Sequence, residues 1–183
     1  MSGVSSLSQP QMHGDVPLAI VQILTTGTAY PFSERLHGSL PLAKPGIYTI
    51  WRQAEFLYVG IAGRGLDLNA EHKKKRGLLD RLDSHRAGRR SGDQFAVYVC
   101  DRLVLPTLSP EQIRCISAGE LSLDALTRVY IHQQLSYRFT TTNTYAEAQA
   151  VDRIEKGSEF GPRSPAQPPP NPRSETKGAV PDY

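Results

Sequence analysis

Tyr48 and Tyr58 stand ten residues apart, each within a short apolar run, Ile47-Tyr48-Thr49-Ile50-Trp51 and Phe56-Leu57-Tyr58-Val59. Arg81 and His85 follow, four residues from each other, and three carboxylates, Glu147, Asp152 and Glu155, come late in the chain. These residue types suit phosphodiester hydrolysis. That reaction must deprotonate an attacking water, stabilise the extra charge on a pentavalent phosphate and neutralise a leaving oxygen. A divalent cation can serve the second and third tasks. It needs at least one hard oxygen ligand, and Mg2+ often takes a single carboxylate while keeping its other waters. The planar fork of arginine donates two hydrogen bonds at once to phosphate oxygens. A tyrosine, with an ordinary pKa of about 10, can act as a base when nearby cations lower it. Arg81 and a metal would both do so. The same residues would also occur in an ordinary hairpin with two core tyrosines.

The two apolar runs, rich in β-branched and aromatic residues, predict strands. The polar link Arg52-Gln53-Ala54-Glu55 predicts the turn of a hairpin that lets both tyrosines face one pocket. Leu78 to Ala87 predicts a helix, with Leu78 and Leu82 four apart and Gly88 to stop it. Arg81 and His85 then share a face, next to the leucine stripe and near the sheet. Phe95 to Cys100 predicts a third strand, and Tyr137 to Thr141 another. Ser109-Pro110-Glu111-Gln112 is a capping box with proline at the first helical position, so a helix starts there and ends near Gly119. Leu123, Leu126 and Tyr130 mark a further helix. Thr144-Tyr145-Ala146-Glu147 is a second capping box and opens a helix that ends at Gly157. The apolar Val16 to Leu24, interrupted by Pro17 and Gln22, predicts a strand or a docked arm. The whole predicts an α+β domain: a small antiparallel sheet that carries the two tyrosines, covered by helices.

The 183 residues suit one domain with tails. The expected division is a disordered start over 1–15, an N-terminal arm over 16–43, the main domain over 44–172 and a disordered tail over 173–183. From Gly161 onward the chain is polar and holds half of its fourteen prolines, which favours disorder. Cys100 and Cys115 are too few for a disulfide framework or a zinc cage and sit in apolar stretches, as small core residues do. No apolar run approaches a bilayer's thickness, and the Ser/Gln-rich start lacks the order of a secretory signal, so a cytoplasmic location is expected. The net charge is only +3, but Arg64 to Arg90 holds nine basic residues against four acidic ones. That local excess is the footprint expected of a nucleic-acid surface, with Arg64, Lys73, Lys74, Lys75, Arg76, Arg86, Arg89 and Arg90 as phosphate contacts. A solvated charge run on a loop would have the same composition.

Gly46-Ile47-Tyr48 and Tyr58-Val59-Gly60, with Arg81-Leu82-Asp83-Ser84-His85 downstream, resemble the GIY-YIG nuclease superfamily, and the Arg81-x3-His85 pairing is similar to its restriction-type branch. The resemblance covers roughly residues 44–172. It implies a small three-stranded sheet flanked by helices, with the helices between Ser109 and Gln134 as an insertion. It implies a metal-dependent endonuclease acting on DNA with Mg2+ or Mn2+. Tyr48 would be the general base, Tyr58 would support it by hydrogen bonding to water or phosphate, and Arg81 would stabilise the phosphate. His85 would relay a proton; as a packing residue it would instead be partly buried. The family's late-helix glutamate corresponds to Asp152, in Glu147-Ala148-Gln149-Ala150-Val151-Asp152. Glu147 is placed to bond the helix cap, whereas Asp152 and Glu155 fall on the face of Ala148 and Val151, where a carboxylate is costly unless paired or bound to a cation. Asp152 is therefore the favoured metal ligand. Asn171, before Pro172, resembles the Asn-Pro ending of restriction-type members and is equally a common turn feature.

Two other readings fit the sequence. One is a non-catalytic nucleic-acid-binding protein on the same fold, the metal site weakened by the shorter Asp152. The other is an unrelated α+β protein in which Tyr48, Tyr58 and Arg81 do not converge.

Overall fold

The computed structural model describes residues 18–36, 38, 40–41, 44–64, 66 and 77–154, the last four as backbone only. The elements follow in the order α1 (Leu18–Thr26), β1 (Tyr30–Pro31), β2 (Gly46–Arg52), β3 (Glu55–Ala62), α2 (Leu78–Ala87), α3 (Gln94–Val99), α4 (Pro110–Ser117), α5 (Leu123–Gln134), β4 (Ser136–Thr141) and α6 (Tyr145–Ile154). This is the expected α+β architecture: a four-stranded antiparallel sheet flanked by helices. The strand order is β1-β4-β2-β3.

β2 and β3 form the expected hairpin. Gln53 and Ala54 make its turn, with Gln53 in the left-handed region at φ 55°, and a bulge sits between Ile50 and Trp51. Tyr48 lies opposite Gly60 on one side and Phe139 of β4 on the other, while Ile50 lies opposite Tyr58. Side chains alternate across a strand, so Tyr48, Ile50 and Tyr58 share one face. There they meet Leu78 and Leu82 of α2, Phe95 and Val99 of α3, Ile131 of α5 and Tyr137 of β4. Ile47 and Val59 point to the other face and pack with Leu24 and Ile20 of α1.

Of the strand or docked arm expected over Val16 to Leu24, the described part, from Leu18, is an arm docked on the sheet, and it is a helix, α1. Its spacing is helical: Ile20 and Leu24, four apart, both reach the sheet. Thr49 Oγ1 donates to Leu24 O at 2.7 Å, and Arg138 Nε donates to Gly27 O at 2.9 Å just past the helix. Such bonds satisfy carbonyls that a helix end leaves without partners. The Arg138 guanidinium also lies over the Trp51 ring, 4.7 Å from its centroid.

The second departure is at Phe95 to Cys100, expected as a strand and found as helix. The segment buries Phe95, Ala96, Val99 and Cys100. That spacing is one helical face; a strand would bury alternate residues. Asp93 starts the helix by accepting from Phe95 N at 3.1 Å. The helix continues through a π-helical turn, Cys100–Val104, and a 3-10 turn, Leu105–Thr107. Strand propensity of Val and Tyr yields here to packing and a cap. Cys100 is buried as expected, and Cys115 is half-buried.

α2, α4, α5 and β4 fall where the sequence places them. Ser109 and Gln112 form the expected capping box at α4. At α6, Thr144 Oγ1 accepts from Glu147 N at 3.1 Å, and the Glu147 carboxylate accepts from Asn143 N at 2.9 Å. The helix end expected at Gly157 and the tail beyond lie outside the described residues. Among the described residues, no helix is long and apolar enough to cross a membrane.

Candidate active site

The two glycines of the hairpin triplets are there because neighbours come close, not because the chain turns. A Cβ built on Gly46 would stand 2.5 Å from Leu78 Cδ1 and 2.5 Å from Thr140 O; one on Gly60 would stand 2.2 Å from the Tyr48 hydroxyl. Gly46 thus lets α2 settle on the sheet, and Gly60 leaves room for the Tyr48 phenol to cross its own strand partner. The tyrosine is thereby aimed at α2.

Tyr48 is fully buried, as is His85. The Tyr48 hydroxyl lies 2.7 Å from His85 Nε2, and His85 Nδ1 lies 2.6 Å from Asp93 Oδ2. Asp93 is itself only 2% exposed, and its other oxygen caps α3. Aromatic rings pack the histidine: Phe95 at 4.6 Å between centroids, Tyr48 at 5.6 Å and Tyr58 edge-on at 5.8 Å. Tyr48 and Tyr58 are 6.2 Å apart, ring to ring. Arg81, half-buried and one helical turn before His85, lies close enough to Tyr48 to interact with it electrostatically.

The electrostatics define the protonation states. Burial pulls the Asp93 carboxyl up, but the hydrogen bond from His85, the His85 and Arg81 charges and the Phe95 amide outweigh it and hold Asp93 below the usual carboxylate range. Burial holds His85 below the usual histidine range, against the pull of Asp93. Tyr48 is pushed well above the usual phenol range, first by burial and then by Tyr58, with Arg81 only partly opposing. Arg81 stays above its ordinary value because burial, which lowers it, is outweighed by Tyr48. At neutral pH the group is therefore Asp93 carboxylate, neutral His85 and protonated Tyr48. A carboxylate can only accept, so His85 carries its proton on Nδ1 and presents the lone pair of Nε2 to the Tyr48 O–H.

The expected route to a tyrosine base has Arg81 and a bound metal lower the Tyr48 pKa together. Arg81 does pull the Tyr48 pKa down, as expected, but burial outweighs it. Tyr48 has a hydrogen-bond acceptor, His85 Nε2, to take its proton instead. His85 is fully rather than partly buried, and both its ring nitrogens are engaged, one by Tyr48 and one by Asp93.

Tyr48, Tyr58, Arg81 and His85 are thus brought together. Asp93 joins them and was not singled out from the sequence. Its signal was available: an aspartate two residues before an apolar run is a helix cap. Reading Phe95 to Cys100 as a strand removed the helix it would cap.

The remaining expected site residues are more scattered. Arg64 and Arg89 are exposed. Arg90 pairs with Asp124 at 2.7 Å, and Arg86 Nε donates to Phe32 O at 3.3 Å, so both already hold protein partners. Arg86 also lines, with Arg35, Leu79 and Asp83, a groove of about 810 Å³ along the flank of α2 turned from His85. Lys73, Lys74, Lys75, Arg76, Glu155 and Asn171 lie outside the described residues. Glu147 serves the start of α6, as its spacing predicts. Asp152 is in α6, one turn beyond the fully buried Ala148, and α6 runs beside β2 and β3. Among the described residues no three histidines, cysteines or acids gather as a metal cage. Mg2+ does not require one, since one or two carboxylates with substrate oxygens and waters complete its octahedron.

No protein-family model, curated protein or solved structure matches the chain.

Proposed function

We propose that the protein is a metal-dependent endonuclease that hydrolyses DNA phosphodiester bonds, resembling the restriction-type GIY-YIG nucleases. The observation that carries this reading is the convergence of Tyr48, Tyr58, Arg81 and His85 at one point of the sheet. A coincidental pair of triplets gives no reason for Arg81 and His85 to reach the same phenol. Half-buried Tyr58 and Arg81 are the groups able to touch a phosphate, and Tyr48 lies behind them. Arg81 supplies the charge and the planar fork for the phosphate oxygens. Asp152 would hold the metal, which when bound supplies charge stabilisation at the phosphate. Cytoplasmic action on DNA belongs to the same proposal.

The test is incubation of the full chain with supercoiled and linear DNA in Mg2+ and in Mn2+. Cleavage that Arg81→Ala abolishes supports the reading. Absence of cleavage by the wild type in both metals overturns it.

A second reading is favoured by aspartate standing where the family has glutamate: a protein that binds DNA on this fold without cutting it. Phosphate contacts would survive a weakened metal site. Salt-sensitive DNA binding with no cleavage would select it.

A further inference from the structure

We propose that Asp93 is a positioning residue in a buried proton relay, Asp93 to His85 to Tyr48, which holds His85 so that Nε2 takes the phenolic proton of Tyr48. This rests on the nuclease reading and names the groups that move its proton.

The geometry is a continuous chain. The Tyr48 hydroxyl, His85 Nε2, His85 Nδ1 and Asp93 Oδ2 are linked by contacts of 2.7 Å and 2.6 Å, with the residues 0%, 0% and 2% exposed. Three elements and a loop meet there: β2 brings Tyr48, β3 brings Tyr58, α2 brings Arg81 and His85, and the turn before α3 brings Asp93. Among the described residues those are also the charged and titratable groups that face His85: Asp93 favours its cation and Arg81 opposes it, and the two tyrosine rings lie beside it. Phe95 closes the remaining side. A carboxylate on Nδ1 fixes both the tautomer and the ring orientation, which leaves Nε2 a base. Without it, the ring could carry its proton on Nε2, and Tyr48 would face a donor.

The proton account closes. Tyr48 is fully buried, so the attacking water must enter between Tyr58 and Arg81 with the phosphate; its proton then passes to the Tyr48 oxygen while the Tyr48 proton passes to His85 Nε2. A bond forms between the hydroxide oxygen and phosphorus, and the phosphorus bond to the leaving oxygen breaks with its electron pair. The imidazolium keeps Nδ1–H on Asp93 and returns the other proton through Tyr48 to solvent, while the leaving oxygen, in line on the far side of phosphorus, takes a proton from water. No oxidant or further reactant is needed. A phenol pushed above its ordinary pKa is a poor source of phenolate by itself; a neighbouring base removes that difficulty by taking the proton only as the water gives up its own.

Asp93 also caps α3, so a purely structural role must be separated. Asp93→Asn does so, because asparagine caps as well as aspartate. To keep its oxygen on Phe95 N, the amide must turn its NH2 toward His85 Nδ1, which then has to accept. Imidazole 15N NMR of the full chain reads the tautomer directly. The wild type is expected to show the His85 proton on Nδ1 at pH 7, and Asp93→Asn to show it on Nε2. Turnover in Asp93→Asn should fall about 10²–10⁴-fold with DNA affinity in Ca2+ unchanged, and Asp93→Glu should recover part of it. A wild-type His85 protonated on Nε2 overturns the relay, as does an Asp93→Asn enzyme with wild-type turnover. If the wild type cleaves no DNA, the nuclease reading falls, and the tautomer alone then decides whether Asp93 orients His85 toward Tyr48.

Discussion

A Cβ on Gly60 would lie 2.2 Å from the hydroxyl of Tyr48, its partner across the hairpin. The two triplets of the hairpin are thus one device: the glycine of the second makes room for the tyrosine of the first. Gly60→Ala should displace the phenol from His85 or push the strands apart. Overpacking of this kind costs about 1–3 kcal/mol. The expected outcome is a lowered Tm together with lost cleavage. An alanine variant that melts and cleaves as the wild type does would show that Tyr48 has another seat.

Tyr48→Phe keeps the ring and removes the hydroxyl. Turnover should fall by roughly 10²–10⁴-fold. The variant should also be less stable, because His85 Nε2 is left buried without its donor, at a cost of about 1–3 kcal/mol. Cleavage kinetics and a denaturant titration check the two halves separately. Unchanged turnover would remove Tyr48 from the chemistry.

Stability should fall on mild acidification. The folded state holds His85 below its ordinary pKa of about 6.5, so at lower pH the unfolded chain binds a proton that the folded one does not. The contribution is complete above that value and is lost as pH drops through the lower folded pKa. Asp93, also held low, adds a loss in the same direction at more acid pH. Tm should therefore decline from pH 7 to 5, and His85→Asn should flatten that interval while lowering Tm overall. A wild-type Tm constant across it would contradict the assigned protonation states.

The arginines should not contribute equally to DNA binding. Arg89 is exposed, whereas Arg90 is already paired with Asp124. Arg89→Ala should reduce the slope of log affinity against log salt by about one contact's worth, and Arg90→Ala by less. Replacing Lys73, Lys74 and Lys75 together should lower it further. Equal slopes for all of these variants would place the DNA elsewhere on the surface.

The two late carboxylates should separate. Asp152→Ala should abolish metal-dependent cleavage, and Glu147→Ala should cost about 1 kcal/mol of stability as a lost cap with cleavage retained. A metal titration of both variants decides. The reverse pattern would make Glu147 the ligand.

Most of the site was legible because its signals are local. The tyrosine hairpin, α2 with Arg81 and His85 one turn apart, and the caps at Ser109 and Thr144 all depend on spacing within one or two elements. What escaped depends on neighbours. Phe95 to Cys100 has strand-like residue types, and only a cap plus one-sided burial makes it helical. The misreading hid Asp93 too. The burial that raises the Tyr48 pKa comes from three separate elements, so spacing of charges along the chain pointed the wrong way. Leu18 to Leu24 is helical because its apolar residues at positions 20 and 24 find a sheet face to cover.

β2 has a hydrogen-bonded neighbour on each side, whereas β3, which carries Tyr58, forms an edge of the sheet. The strand of Tyr48 can surrender its amide hydrogens to deuterated solvent only when two ladders open, and its slowest amides should follow global unfolding. Among the described residues the strand of Tyr58 has one ladder to lose. The hydroxyl that hands on the proton is thus set in the slowest-exchanging part of the sheet, and the one nearest to a substrate in a faster part. A phosphate could rearrange the rim of this site without disturbing the clock of its centre.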